Sequence, residues 1–423
     1  MTKDVPKSQS SSKRLSRRQY IKYAGAGIAA AAIAGLGYYA TRPSPPQIQI
    51  TQTQITSSID EEQRELALRE QYSSLFPPQK LHVGIKGVCY SVGIGELSHP
   101  YRVSDETMRK DIEAIHDELG CNGIRIYGET QERMIKCAEM ALDSNFDAVL
   151  LLPFYVEATH QQLVREVGKL AKAAAELAES WGDRIVMMIG AELTVSSVGI
   201  YPGGSYWARS MEIARLQNNK EYQKKLEVLV RDLIDASRVS FSGKLCYGAG
   251  PWEWWLPWNE LDLHILGDQH YWYREYGNWE DPENVYFRHI KHYKRYHKPY
   301  FNTEFGSSCF QGAFDWGAGA WMEAVPGANV CRAYDEDGQA ESVRRYMEMF
   351  NKAHEMGLTV DGCFLFRYFG GLHPPLEGWK GEPYCRSEDM AIVVPEYSTT
   401  LGNPPIDHWR KAFYMYKSYQ RVS

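Results

Sequence analysis

Two glutamates stand where two apolar runs end. Glu192 follows Arg184–Gly190 after a single alanine, and Glu304 directly follows Pro299–Thr303. A carboxyl group donates a proton when neutral and attacks or steadies a positive centre when ionised, and its surroundings decide which. Two carboxyls in unequal surroundings supply what cleavage of an acetal carbon–oxygen bond needs. One gives a proton to the leaving oxygen, and the other gives electron density to the anomeric carbon. At about 5–5.5 Å apart one of them attacks directly, and at a wider spacing a water fits between. Other polar and aromatic residues fall at the ends of similar runs: Arg125 and Tyr127, His270 and Tyr271, and Arg367. A tryptophan cluster, Trp252, Trp254, Trp255 and Trp258, occupies one loop.

Each of these residues also has a plainer explanation. A glutamate after a strand can cap a helix or make a rim ion pair. Arg125 can pair with any buried carboxylate, and His270 can be a satisfied rim histidine. The tryptophans can simply pack a loop. Yet 12 Trp and 28 Tyr exceed what a core of this size needs. Their flat apolar faces with polar edges match the surface of a sugar ring, so carbohydrate is the expected partner.

A formal charge of −6 over 423 residues gives no basic field for nucleic acid. There is no Cys-x-x-Cys and no His-Glu-x-x-His. His289 and His292 read as an exposed helix face, so neither a metal nor a cofactor is expected. Of eight cysteines, Cys89, Cys121, Cys246 and Cys363 fall in or beside apolar runs, where buried thiols are ordinary. Cys309, Cys331 and Cys385 lie in loops and could pair outside the cell.

The positions that matter need a scaffold, and eight short runs supply one: His82–Tyr90, Gly123–Tyr127, Ala148–Tyr155, Arg184–Gly190, Lys244–Gly248, His264–His270, Pro299–Thr303 and Gly362–Arg367. They are apolar throughout rather than alternating, which suits parallel strands covered on both faces. Helical patterns separate them. Ser104 is an expected N-cap ahead of Met108, Ile112, Ile115 and Leu119, whose spacings of 4, 3 and 4 mark one face. Similar stripes carry Met134 to Leu142, Leu163 to Leu177, and Leu226 to Ile234. Between the fifth and sixth runs, residues 249–262 show no helical period, so a loop or short turn is expected there.

Eight such units predict an α/β fold, a (β/α)₈ TIM barrel over residues 80–423. Its chemistry belongs at the strands' C-terminal ends, where Glu192 follows the fourth strand and Glu304 the seventh. A doubly wound open sheet is the fold alternative. No nucleotide loop supports it, because Gly93-x-Gly95 is followed by Ser98 rather than glycine.

Ahead of the barrel lies an N-terminal export signal or anchor, residues 1–40. Ser16-Arg17-Arg18-Gln19-Tyr20-Ile21-Lys22 resembles the twin-arginine motif, with Lys13 and Arg14 before it. A Gly/Ala/Ile run from Tyr23 to Ala40 follows, at the lower length limit for spanning a bilayer. Ala40 is small, but Tyr38 is bulky where a cleavage site wants a small residue, so an uncleaved anchor is expected. Residues 41–79 read as a Pro/Gln/Thr/Ser-rich linker and a short helix from Asp60 to Glu70. The expected partners are therefore the membrane, through this segment, and the twin-arginine export machinery. The expected location is outside the cytoplasm.

NGIRIYG at 122–128, RIVMMIGAEL at 184–193, LGDQHYWY at 266–273 and KPYFNTEFG at 298–306 resemble clan A of the glycoside hydrolases, over residues 80–420. The resemblance implies a retaining barrel with Glu192 as acid/base and Glu304 as nucleophile. It implies that Tyr271 or His270 orients the nucleophile and that Arg125 sits beneath Glu304. Two positions depart from the clan's pattern. Ala191 stands where the clan carries Asn, and Phe366-Arg367-Tyr368 stands where a tryptophan platform is common. The rival readings are a transglycosylase using the same residues, a barrel that binds glycans without cleaving them, and a barrel enzyme of another type such as a lyase.

Overall fold

The structure is a computed structural model that describes residues 58–93, 104–128, 130–153, 156–271, 282–309, 335–368, 390–394 and 408–422. The twin-arginine-type motif, the Tyr23–Ala40 run, Tyr155, Cys331 and Cys385 lie outside the described residues. Among the described residues no helix is long and apolar enough to cross a membrane.

Eight parallel strands close into a barrel. They are β1 (Ile85–Ser91), β2 (Gly123–Gly128), β3 (Ala148–Pro153), β4 (Ile185–Ala191), β5 (Lys244–Ala249), β6 (Ile265–Gln269), β7 (Tyr300–Phe305) and β8 (Gly362–Leu365). Closure is made by β1 on β8, with Ile85 opposite Gly362 and Val88 opposite Leu365. Each strand lies within a few residues of an apolar run in the sequence. Being covered on both faces is what removed alternation from those runs. One set of side chains, including Leu150, Met188, Cys246, Phe301 and Phe364, fills the barrel interior. The other set faces the surrounding helices.

Helices α1 (Asp105–Glu113), α2 (Gln131–Asp143), α3 (His160–Trp181), α4 (Lys220–Arg238), α5 (Pro282–Lys294), α6 (Glu336–Glu355) and α7 (Lys411–Ser418) form the outer layer. Ser104 caps α1, its hydroxyl accepting from Thr107 N at 3.0 Å. Thr159 and Gln162 make a capping box on α3. The apolar stripes read from the sequence are the buried faces: Met108 and Ile112 on α1, continued by Ile115 and Leu119 in the π-helical turn Ala114–Glu118 and its C-cap, and Leu163, Val167, Leu170 and Ala174 on α3. Each fully buried leucine or isoleucine contributes about 1.5–3 kcal/mol relative to leaving it in water. The β5–β6 connection is a 3₁₀ turn at Pro251–Glu253 and not a helix.

The helix in the expected linker is longer than its charged stretch suggested, spanning Ser58–Leu75. It packs against the chain's C-terminal region. Glu65 Oε1 accepts from Trp409 N at 3.2 Å, and the Arg69 guanidinium lies 3.9 Å from the Trp409 ring centre. Ser58–Ser423 therefore forms one compact unit, and this helix belongs to the barrel's outer layer.

Candidate active site

Glu304 owes its direction to an irregularity in β7. Asn302 points outward, its amide donating to Tyr286 Oη on α5 at 2.6 Å. Phe305 also points outward, against Tyr346 and Phe350 of α6. A regular strand alternates faces at every residue, so outward residues three apart need one extra residue between them. The pairing register shifts there on both sides of β7, between Asp268 and Gln269 and between Asn302 and Phe305. Glu304 is thus turned into the barrel mouth, where its carboxylate meets Arg125. Gly306 completes the turn with φ near 147°, and a β-carbon there would meet Phe366 O at 2.6 Å. The glycine of Thr-Glu-Phe-Gly is required on both counts.

The Glu304 carboxylate is held at both oxygens. Arg125 Nη2 lies 2.5 Å from Oε1, and the Tyr271 hydroxyl donates to Oε2 at 2.6 Å. Arg125 is itself fixed, Nη1 donating to Thr303 O at 2.8 Å. Glu304 is only 8% exposed, so the ion pair stands largely out of water. Tyr271 is likewise buried, and burial followed by the adjacent Glu304 charge pushes its hydroxyl well above the usual tyrosine range. It stays protonated and donates.

Glu192 is positioned differently. The β4–β5 register also shifts, three residues from Met188 to Ala191 facing two from Cys246 to Gly248. Ala191 closes the strand inside the barrel wall, and Glu192 leaves it in the left-handed region, φ 45° and ψ 43°. Its amide donates to Gly248 O at 2.9 Å, and the short helix Leu193–Ser196 begins from it. A non-glycine residue in this conformation costs on the order of 1 kcal/mol, which the surrounding structure must hold. Glu253 provides much of that hold. Wholly buried, it accepts from Thr194 N and Oγ1, the Tyr247 hydroxyl and Gly250 N. Burial raises its carboxyl and these donors pull it back. Trp252 Nε1 donates to the same Thr194 hydroxyl at 2.7 Å.

The Glu192 side chain is half-buried and has, among the described residues, one long hydrogen bond, from the Tyr206 hydroxyl at 3.4 Å. Tyr206 arrives on the insertion after β4, which Arg209 ties down. That guanidinium is wholly buried and donates to Val195 O at 2.6 Å while pairing with Glu157 at 2.8 Å. Desolvation first, then the negative charges of Glu304 and Glu253, raise the Glu192 carboxyl well above the usual carboxylate range. One mouth therefore holds a carboxyl whose surroundings favour its protonated form and a carboxylate braced by an arginine.

The remaining sequence candidates divide. Tyr127 stacks on Phe366, with ring centres 6.2 Å apart, and the Arg125 guanidinium lies 5.8 Å from its ring. Burial raises its hydroxyl to about 12, and that hydroxyl makes no hydrogen bond among the described residues. Arg367 follows β8 half-buried, its guanidinium 5.7 Å from the Phe366 ring and its Nε without a partner among the described residues. Both present polar atoms without a hydrogen-bond partner among the described residues.

His270 goes elsewhere. It faces Tyr286 and His289 on α5, so of the two residues suggested to orient Glu304, Tyr271 is the one that reaches it. Two of the tryptophans pack the loop. Trp258 is wholly buried, and its indole donates to Trp254 O. Trp255 donates to Trp252 O. Trp254 is 44% exposed and sets its ring edge-on to His292 of α5, on the outer layer. Only Trp252 is tied to the Glu192 region. His289 is buried rather than on an exposed helix face. Cys89, Cys121, Cys137, Cys246 and Cys363 are buried thiols.

Sequence reasoning missed Glu253, Thr194, Tyr247 and Tyr206. Glu253 carried a signal, as a lone acid inside a tryptophan-rich loop. Tyr206 sits in a Gly-Gly-Ser-Tyr-Trp insertion that marks nothing.

No protein-family model and no curated protein matches the chain. Among solved structures, it is similar to a GH113 β-1,4-mannanase complex at 12% identity, covering 81% of this chain and 99% of that one with a TM-score of 0.47. It is similar to the Ignisphaera aggregans GH53 catalytic domain at 15% identity, covering 81% and 99% with a TM-score of 0.46. It is also similar to a β-glucosidase from Exiguobacterium marinum at 12% identity, covering 79% and 97% with a TM-score of 0.48. Likeness this distant carries no inference about the site, which is read from its own residues.

Proposed function

We propose that the protein is a retaining glycoside hydrolase acting on β-linked glycans, with Glu192 as acid/base and Glu304 as nucleophile. The observation that carries this reading is the unequal treatment of two carboxyls in one barrel mouth. Glu192 is desolvated and faces negative charge, while Glu304 is paired with Arg125 and hydrogen-bonded by Tyr271. In the first step Glu304 attacks the anomeric carbon while Glu192 passes its proton to the departing oxygen. The glycosidic bond breaks and a glycosyl ester forms on Glu304. Glu192, now ionised, takes a proton from water, which displaces Glu304 and restores both groups. Two displacements at one carbon leave its configuration unchanged.

The Tyr127 hydroxyl and Arg367 Nε, which have no hydrogen-bond partner among the described residues, are offered to substrate beside Glu304. Trp252 reaches the Leu193–Ser196 helix through the Thr194 hydroxyl. The resemblance of the 298–306 and 184–193 segments to the clan supports the same roles. An acceptor sugar in place of water gives transglycosylation by the same residues. Export outside the cytoplasm, with residues 1–40 as signal or membrane anchor, is part of this proposal and rests on the Ser16–Lys22 motif.

The test is a panel of aryl β-glycosides and β-linked polysaccharides, comparing wild type with Glu304→Ala. The reading expects hydrolysis by the wild type alone. Equal activity in the variant removes Glu304 as nucleophile, and no activity in either favours a barrel that binds glycans without cleaving them.

A further inference from the structure

Asp268 on β6 and His270, one residue past its end, flank Gln269, so both side chains leave on the outer face, toward α5. His289 meets them there from α5, its ring centre 4.6 Å from that of His270. The three are 0%, 2% and 9% exposed. Nδ1 of each histidine lies 3.7 Å from the same oxygen, Asp268 Oδ2. Ligand atoms of all three lie within 4.8 Å of one another.

A separation of 3.7 Å is too long for a hydrogen bond. It suits two donors on one cation: with bonds of about 2.0–2.2 Å, tetrahedral donors stand about 3.4 Å apart. Closing on an ion then needs movements of a few tenths of an ångström for the aspartate–histidine pairs. The existing partners leave Asp268 poorly compensated. Among the described residues Oδ2 accepts from the Tyr300 hydroxyl at 3.3 Å, and Oδ1 has no hydrogen-bond partner. His289 Nδ1 also has no hydrogen-bond partner among the described residues. Among the described residues no lysine or arginine pairs with Asp268. A carboxylate taken wholly out of water without such a partner is costly, and a cation removes that cost.

We propose that Asp268, His270 and His289 bind a divalent transition-metal ion of the zinc class, through one carboxylate oxygen and two imidazole nitrogens. Water completes the coordination from the side of His289, the most accessible of the three. The site lies between the barrel wall and the helix layer, so its role is to clip β6 to α5. His270 is adjacent in the chain to Tyr271, the residue that donates to Glu304. Short-spacing motifs do not reveal the site, because its third ligand lies 19 residues beyond His270 on another element.

Full-length protein is stripped with EDTA, dialysed, and titrated with Co²⁺ followed by Zn²⁺. The proposal expects one Co²⁺ per chain, the intense visible absorption of low-coordinate cobalt, its displacement by Zn²⁺, and a higher melting temperature with metal than without. His289→Gln and Asp268→Asn should each reduce affinity at least tenfold and abolish the metal-dependent rise in melting temperature. The partly accessible His289 makes the first variant the safer fold. The wild-type spectrum is a readout that needs no variant. A pale six-coordinate aqua-type spectrum, or the same uptake by wild type and His289→Gln, overturns the site and leaves a proton-sharing cluster instead.

Discussion

The ends of β7 and β4 present the same residue type in opposite settings. At β7 the Glu304 carboxylate is clamped by Arg125 and Tyr271 at 2.5 and 2.6 Å. At β4 the Glu192 side chain has, among the described residues, one hydrogen bond, the 3.4 Å contact with Tyr206, while its backbone is held through Gly248, Thr194 and Glu253. A nucleophile must keep its charge and its aim, so the protein restrains the carboxylate itself. A group that gives and retakes a proton must change charge in each cycle. Loose side-chain contacts and a firm backbone permit that.

Glu304→Ala tests the clamped end and should have the largest effect, a fall in kcat of at least ~10⁴-fold. Added azide, which fits the vacated space as a substitute nucleophile, should restore turnover with inverted product. Rescue with retained configuration would show that the two ends have been assigned the wrong way round.

Glu192→Gln should cost about 10²–10⁴-fold, most on substrates with poor leaving groups and least on dinitrophenyl glycosides. It also tests the pH argument. Glu192 must be protonated to act, so the wild-type rate should fall as pH rises through its raised pKa, above the usual carboxylate range. The variant should lose that limb. Stability follows the same sign. A carboxyl whose folded pKa is raised binds its proton more tightly when folded, so that contribution is present below the unfolded value and lost as pH rises through the folded one. Melting temperatures of Glu192→Gln should therefore decline less than wild type over that window.

Arg125→Met leaves a buried carboxylate uncompensated and should destabilise the fold by about 3–5 kcal/mol in denaturant melts. The same change at a loosely held carboxylate would cost far less, so a small effect would erase the contrast between the two ends. Tyr271→Phe removes one hydrogen bond to a charged group, about 1.5–3 kcal/mol, and should lower kcat roughly 10- to 100-fold with little change in KM. A KM effect without a kcat effect would place Tyr271 in substrate binding instead.

The barrel was legible because parallel strands covered on both faces must be apolar throughout, and each such run became a strand. The capped helices followed from period and from Ser104. The β5–β6 turn was legible as a missing period. What the sequence could not carry was direction at strand ends. Simple alternation puts Glu304 on the outer face with Asn302, and only the extra residue in β7 turns it inward. His270 and Tyr271 are adjacent, so one faces the mouth and the other α5, and nothing local says which. The tryptophan run reads as a binding surface, yet two of its four indoles, those of Trp255 and Trp258, donate to backbone within their own loop. His289 looked like surface because a helix's buried stripe can include a polar residue when a partner waits on the strand beneath.

The central claim is that Glu304 attacks the sugar. Once the panel has shown which glycoside is hydrolysed, the corresponding 2,4-dinitrophenyl 2-deoxy-2-fluoro-β-glycoside should inactivate the protein by forming an ester that turns over slowly. Mass spectrometry of the digested protein should find one fluorosugar on the peptide carrying Glu304 and nowhere else. A label on Glu192, or hydrolysis of the parent substrate with no trapped ester under inactivating conditions, would contradict the account.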